Sequence, residues 1–336
     1  MVKIDFSKLC VVIVNYKTPK ETLSLIKSLR EMKGGGERQV YVVDSHSEDE
    51  SKNIIEKELL SNEFFIEMDK NYGYGYCNNV GIRKGLLWGA EFFLILNPDI
   101  KVDMDLIFRL VIALEAQKKS GMAVPVSLSE DGKRFQSIGG KYSLFTGRAK
   151  RRGYNKKISV EQKDFEYVDF PVGDAILFKR EFFEDAGLFH EKFFLYYEDV
   201  EIGLRAKREY WKCVVIPKAK VFHRDTTRER LFDPMVNYVS IRNQIWVERL
   251  YANIFQYVTF LLFSFLLRYP FKMIRAFFFC RFKCFFMIVK GIFSGLFSKK
   301  VYDGSHLNLP NIKRKMADDD FVPESPRIIF ERTKRK

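Results

Sequence analysis

The chain reads as an α/β protein whose mainly parallel sheet is flanked by helices. Through its first two thirds, short β-branched runs alternate with stretches of helical pattern, and strand-helix-strand repetition closes as a parallel sheet with right-handed crossovers. At 336 residues, 47 % apolar and 30 % charged, the chain can bury a sizeable core, and its composition excludes wholesale disorder, a collagenous repeat and a multi-span transporter. Polar residues follow each apolar run, and ligands of open α/β sheets sit beyond the carboxyl ends of the strands.

Residues 10–14 form the first run, 21–32 a helix, 40–43 a second run, 51–60 a second helix and 92–96 a third run. The first run exits into Asn15 and Tyr16, the second into Asp44, Ser45 and Ser47, the third into Asn97, Pro98 and Asp99. Such acceptors suit a nucleotide, whose pyrimidine imide and ribose hydroxyls need them; for the two serines, capping of the next helix is the alternative. Hard divalent cations are commonly held by a carboxylate together with a nucleotide diphosphate, and Asp99 suits that role. The stretch from Asn71 through Gly73, Tyr74 and Gly75 to Asn78 and Asn79 permits close backbone approach, although a tight turn entering a helix explains it equally. It lacks both the third glycine of a G-x-G-x-x-G and any Gly-Lys-Ser/Thr, so a Rossmann dehydrogenase or a P-loop is a poor reading of it. Further on, Glu198, Asp199 and Glu201 crowd three acids into four positions behind Tyr196 and Tyr197. In the first turn of a helix the dipole favours their ionised form while like charges oppose it. A general base needs that kind of tuning; an acidic turn on a surface helix is the plain alternative.

In this order, the motifs resemble those of the inverting nucleotide-sugar glycosyltransferases of family 2. The matching pieces are Val11-Val12-Ile13-Val14-Asn15-Tyr16, Val42-Val43-Asp44-Ser45, the Asn71 to Ile82 stretch, Leu96-Asn97-Pro98-Asp99, Gly187-Leu188-Phe189 and Tyr197-Glu198-Asp199-Val200. The Asn-Pro-Asp triplet is similar to the branch containing rhamnosyltransferases and galactofuranosyltransferases of bacterial surface polysaccharides. The resemblance implies a GT-A fold, with its Rossmann-like sheet. It implies that Asn15, Tyr16 and Asp44 hold the base and ribose of a dTDP- or UDP-sugar, and that Asn71, Gly73, Asn79 and Asn97 line the nucleotide-sugar site. Asp99 and His223 would hold Mg2+ or Mn2+, with Asn97 standing where many relatives carry the first acid of a D-x-D motif. Asp199 would be the catalytic base, with Glu198 on the acceptor side. The implied reaction is a single inverting displacement that moves L-rhamnose from dTDP-rhamnose to a polyprenyl-diphosphate-linked saccharide. Galactofuranosyl or N-acetylhexosaminyl transfer from a UDP-sugar is the alternative.

Charge divides the chain. The 57 basic and 43 acidic residues leave a net charge of +14, and residues 231–336 hold 18 basic against 8 acidic ones. We expect a transferase domain over 1–230, a helical membrane-associating segment over 231–300 and a charged flexible tail over 301–336. Residues 249–300 contain nine basic residues, no acid and 13 of the 33 Phe. Their apolar run at 254–267 is about 14 residues, short of the ~20 that span a bilayer. If residues 271 onward form one helix, then at ~100° per residue Arg268, Lys272, Arg275, Lys283 and Lys290 share one edge of it. That pattern fits an amphipathic helix lying on an anionic inner leaflet, or else a core or oligomer helix with a basic rim. A basic membrane- or nucleic-acid-binding protein without catalysis is the non-enzyme alternative; no nucleic-acid motif supports nucleic acid as a partner. Five scattered cysteines without a C-x-x-C pair fit a reducing cytoplasm, and no cleavable signal peptide is expected at residues 1–9. Residues 127–168 are a basic stretch, with Lys150, Arg151 and Arg152 consecutive, that fits a loop over the acceptor side or a solvated insertion.

Overall fold

A computed structural model describes residues 8–32, 36–117, 119–158, 164–223 and 230–298; the expected tail at 301–336 lies outside them. The expected α/β architecture is present, with a mostly parallel central sheet flanked by helices. Strands β1 (Lys8–Asn15), β2 (Glu37–Asp44), β3 (Glu63–Glu67) and β4 (Phe92–Leu96) pair in parallel in the order β4-β1-β2-β3. Helices α1 (Pro19–Glu31), α2 (Ser51–Glu56) and α3 (Tyr74–Trp88) connect them. The second helix is shorter than the pattern at 51–60 predicts, and β3, which the apolar runs did not mark, follows it.

The β1 strand is buried on both faces, as parallel strands covered by helices are. Val12 and Val14 join the cluster under α3, while Val11 and Ile13 join Leu25 and Ile26 of α1. Glycines bring α3 close to the sheet: a β-carbon added at Gly81 would lie 2.6 Å from Val12 Cγ1. Left-handed Gly89, with φ 86°, then ends the helix.

The chain continues from β4 through β5 (Ile100–Val102), α4 (Leu106–Ala116), β6 (Ser120–Ser129), β7 (Phe135–Ser137), the hairpin β8 (Gly140–Ser143) and β9 (Arg148–Arg151), which forms a two-stranded sheet of its own, β10 (Glu166–Val168) and β11 (Ala175–Lys179). After α5 (Arg180–Ala186) and α6 (Glu198–Arg208), β12 (Lys212–His223) pairs in parallel with β6. The β11 strand runs antiparallel between β4 and β6, so its entrance lies at the same end of the sheet as the exits of β4 and β12. The basic stretch at 127–168 thus carries the end of β6 and the strands β7 to β10, joined by turns.

The C-terminal helices depart from expectation. Asp233 caps α7 (Pro234–Tyr251) by accepting from Val236 N–H at 2.9 Å. An Asn253–Gln256 capping box starts α8 (Ile254–Phe263), and a π turn (Ser264–Arg268) joins it to α9 (Tyr269–Phe278). The run taken to stop near residue 267 is therefore part of a 25-residue helical segment, Ile254–Phe278, long and apolar enough by length and composition to cross a membrane. The single helix expected beyond residue 271 breaks where Cys280 takes φ 53°, so Lys283 and Lys290 lie on α10 (Phe282–Phe297) and share no helix edge with Lys272 and Arg275. The α10 helix packs on α7, and Ile241 and Ile245 meet Ile288 and Ile292 there.

Candidate active site

Every residue that the motifs single out at a strand exit lies at one end of the sheet, but the side chains fall into two groups. The first is a closed knot. Asn15 is fully buried, and its Nδ2 donates to Asp44 Oδ2 at 2.6 Å while its Oδ1 accepts from Thr22 Oγ1 at 2.8 Å. Ser47 donates from Oγ to Asp44 Oδ2 at 2.6 Å and from its backbone N–H to Oδ1 at 2.8 Å. Asn15 therefore stands behind Asp44 and positions it, whereas Tyr16 is exposed, with Lys17 Nζ over its ring. Asn71 Oδ1 accepts from Ser45 Oγ at 3.1 Å and from Gly73 N–H at 2.9 Å. Asn79 turns away from this end: it donates to Phe189 O at 2.8 Å and accepts from Phe189 N–H at 3.0 Å, stitching α3 to the chain beyond α5.

The second group is an open cluster of acids. Asp99 Oδ2 lies 3.2 Å from His223 Nε2. Burial pushes the Asp99 carboxyl up, but the His223 hydrogen bond and charge outweigh it and hold it below its ordinary value. Burial likewise pushes the imidazole down, while Asp99 and the charge of Asp174 bring it up overall. Asn97 Oδ1 accepts from the Tyr74 hydroxyl at 2.9 Å, and burial drives that phenol's pKa far up, so it stays a donor. Glu198 and Asp199 open α6 as expected. Glu198 is 8 % exposed and its Oε2 has no hydrogen-bond partner among the described residues, whereas Asp199 is more open and its Oδ1 accepts from Val200 N–H at 2.8 Å. Both carboxyls are pushed up, first by burial, Glu198 also by the charge of Asp199 and Asp199 by that of Asp174. The deeper, unpartnered Glu198 holds the proton, and Asp199 carries the charge.

A strained turn presents this pair. Phe194, Tyr196 and Tyr197 all have positive φ, between 64° and 70°, a conformation that costs about 1–3 kcal/mol per non-glycine residue and persists only when neighbours enforce it. Asn243 of α7, fully buried, enforces it by donating to the carbonyls of Phe193, Leu195 and Tyr196 at 2.8–2.9 Å. Gly73, with φ 92°, leaves room for Phe194, whose carbonyl accepts from Tyr74 N–H at 2.6 Å. The third acid of the motif, Glu201, is a structural one: it is fully buried and paired with Arg205 at 2.8 Å. Arg151, at the end of the β8–β9 hairpin, places its charge near both Asp199 and His223.

A family model described as Glycosyl transferase family 2 matches residues 10–187, more than half of the chain. The chain belongs to glycosyltransferase family 2. The hexosyltransferase Agl10 of low-salt glycan biosynthesis in Haloferax volcanii is 25 % identical over 248 residues, 70 % of this chain and 74 % of that protein. The N-acetylglucosaminyl-diphospho-decaprenol L-rhamnosyltransferase of Mycobacterium tuberculosis is 27 % identical over 173 residues, 46 % of this chain and 56 % of that protein. The dTDP-rhamnosyl transferase RfbF of Shigella flexneri is 25 % identical over 222 residues, 65 % of this chain and 69 % of that protein. Among solved structures, GalNAc-T7 with UDP, GalNAc and Mn2+ superposes with a TM-score of 0.59 at 14 % identity, over 76 % of this chain and 50 % of that one. The mannosyltransferase PcManGT of Pyrobaculum calidifontis, in complex with GDP-Man and Mn2+, superposes with a TM-score of 0.54 at 12 % identity, over 87 % and 88 %. At such identities these two likenesses establish the GT-A fold.

Two residues that shape this glycosyltransferase's site, Asn243 and Asp174, lie outside the motifs read from sequence, and Tyr74, inside one of them, is given no role there. Asn243 carries no local signal, because its partners are 47 to 50 residues away. Asp174 precedes an apolar run instead of following one, at the entrance of the antiparallel β11.

Proposed function

We propose that this family 2 glycosyltransferase transfers L-rhamnose from dTDP-rhamnose, with inversion, to a saccharide carried on polyprenyl diphosphate at the inner face of the plasma membrane. One observation carries the reading: Asp199, at the first turn of α6 beside the deeper, unpartnered Glu198, faces the backbone of Gly173, where an added β-carbon would lie 4.0 Å from Oδ2, in the same cluster as Asp99 and His223. Asp199 takes the proton of the acceptor hydroxyl as that oxygen attacks the anomeric carbon opposite the departing diphosphate. Asp44 and Asn71 hold the nucleoside, Asn15 fixes Asp44, and Asn97 with Tyr74 borders the sugar. Among the described residues no three His, Cys, Asp or Glu converge on one point, so the protein offers no closed cage. The Asp99–His223 pair fits a divalent cation, Mg2+ or Mn2+, shared with a diphosphate; bound there, it would supply charge neutralisation to the leaving group. The Mn2+ in the two solved relatives supports this, and the names of the Mycobacterium and Shigella relatives support rhamnose and a lipid carrier.

Titration calorimetry with dTDP, UDP and GDP, each with and without Mn2+ or Mg2+, tests the reading. We expect dTDP to bind best, Asp44→Ala to weaken it roughly 10- to 100-fold, the scale of one hydrogen bond to a charged group, and Asp99→Ala to remove the cation-dependent part. Preference for UDP moves the donor to a galactofuranosyl or N-acetylhexosaminyl nucleotide. Failure to bind any nucleotide overturns the proposal.

The membrane assignment rests on the outer face of α8 to α10, where Phe255, Phe271, Phe278, Phe286 and Phe297 are each at least 65 % exposed. Interfacial lying fits better than spanning: Arg268 donates to Gly147 O at 3.3 Å and the Tyr269 hydroxyl to Gln244 Oε1 at 3.3 Å, which pins the middle of the 25-residue segment to the catalytic unit. A span would also carry Arg268, Lys272 and Arg275 into hydrocarbon. Each basic residue near an anionic surface contributes about 1 kcal/mol, so replacing exposed Arg281, Lys283 and Lys290 by Gln should weaken co-sedimentation with phosphatidylserine vesicles by roughly 100-fold. Unchanged sedimentation of the triple variant would remove the electrostatic half of the assignment.

A further inference from the structure

Asp174 takes no part in the chemistry above, yet it sits in the middle of it. It stands one residue before β11, and its carbonyl accepts the Asn97 N–H at 3.0 Å, so its Cα lies across from the Asn-Pro-Asp triplet. The residue is 8 % exposed, and Oδ2 has no hydrogen-bond partner among the described residues. A buried carboxylate oxygen without a partner destabilises a fold by its full desolvation penalty, and native structures rarely tolerate one unless something else completes it. The chain around it fixes its place: a β-carbon added at the preceding Gly173 would lie 4.0 Å from Asp199 Oδ2, the Gly173 carbonyl accepts from the Tyr74 hydroxyl at 3.4 Å, and that same hydroxyl donates to Asn97. It therefore sits between the base and the Asn-Pro-Asp triplet that carries Asp99. If the enzyme is a transferase as proposed above, the transferred sugar has to lie in that space, joined to the diphosphate on one side and approached by the acceptor on the other.

We propose that Asp174 Oδ2 accepts a hydrogen bond from a ring hydroxyl of the donor sugar and is a specificity-determining residue of this enzyme. A cation is the poorer occupant, because no three-ligand group forms there among the described residues. A hydroxyl supplies the missing donor without needing a coordination shell. A site built to bond a hydroxyl also rejects an analogue lacking it strongly, because the buried acceptor is then left bare.

The test compares the affinities of dTDP and dTDP-L-rhamnose, in the presence of Mn2+, for the full-length wild type, Asp174→Ala and Asp174→Asn. We expect the wild type to bind the nucleotide-sugar more tightly than the nucleotide. Asp174→Ala should lower nucleotide-sugar affinity roughly 10- to 100-fold and leave dTDP affinity within about twofold, and Asp174→Asn, which keeps an acceptor oxygen, should fall between. Thermal midpoints of both variants should equal or exceed that of the wild type, since a buried carboxylate oxygen without a partner is removed. An equal loss for dTDP and dTDP-rhamnose would place Asp174 on the diphosphate or cation and overturn the assignment, as would no loss for either. A wild type that binds dTDP but gains nothing from the sugar sinks this inference while the nucleotide site stands; a wild type that binds no nucleotide at all sinks the transferase reading itself.

Discussion

With Asp199 as the proposed base, Asp199→Asn should lower kcat by about 10²- to 10⁴-fold, the range for loss of a general base, while the affinity for nucleoside diphosphate should hold. The amide keeps the shape of the side chain and an oxygen for Val200 N–H, which the carboxylate accepts at 2.8 Å, so the α6 terminus is undisturbed and only the proton acceptor is lost. The pH profile gives an independent reading. Burial and the charge of Asp174 push the Asp199 carboxyl up, with Val200 N–H and Arg151 partly offsetting them. The active form is the ionised one, so wild-type kcat should fall as the pH drops through a value above the ordinary aspartate pKa, and that acid limb should be missing from the residual activity of Asp199→Asn. Glu198→Gln should do less, because Glu198 is already neutral in the pair. Equal losses at both positions, or an acid limb that survives in Asp199→Asn, would show that the base is another group.

Arg205→Met should destabilise the protein by about 3–5 kcal/mol, the penalty for breaking a buried ion pair and stranding its partner. Arg205 and Glu201 are 1 % and 0 % exposed by side chain. Arg205 also donates to Ala186 O at 2.6 Å, and Glu201 accepts from the Tyr251 hydroxyl at 2.6 Å. This network ties α6 to α5 on one side and to the end of α7 on the other, which makes it the mount of Glu198 and Asp199. The loss is a large share of a typical domain stability of about 5–15 kcal/mol, and a urea midpoint shift at constant slope measures it. Removing both charges, as Glu201→Leu with Arg205→Met, should recover much of the loss, since well-packed apolar replacements of buried pairs are often neutral. A single variant that loses less than about 1 kcal/mol, the level of an exposed pair, would mean that water reaches the pair.

The strand exits were legible in the sequence because β-branched runs mark parallel strands and the residues after them are confined to one end of the sheet. The same rule hid Asp174. In an antiparallel strand the entrance lies at that end, and Gly173-Asp174 before an apolar run looks like any turn. Glu201 was seen as one acid of three; only the arrival of Arg205 one turn later and of Tyr251 from α7 separates it from Asp199. The apolar run read as ending at residue 267 continues instead, although a proline such as Pro270 inside an apolar run usually ends or restarts a helix. Here the π turn precedes it, and Tyr269 N–H bonds back to Ser264 O, five residues earlier, a widened turn that relieves the clash and lets the helix continue.

The knot around Asp44 limits what a ligand can ask of it. A carboxylate has about four lone-pair positions, and three are occupied: two on Oδ2 by Asn15 and Ser47, one on Oδ1 by the Ser47 N–H. One remains, on Oδ1, in a residue that is 4 % exposed. Asp44 can thus read one donor, such as a base imide, and cannot also chelate a ribose diol. Because its rotamer is frozen before any nucleotide arrives, the entropy of ordering it is lost during folding, and association begins with an acceptor already preorganised.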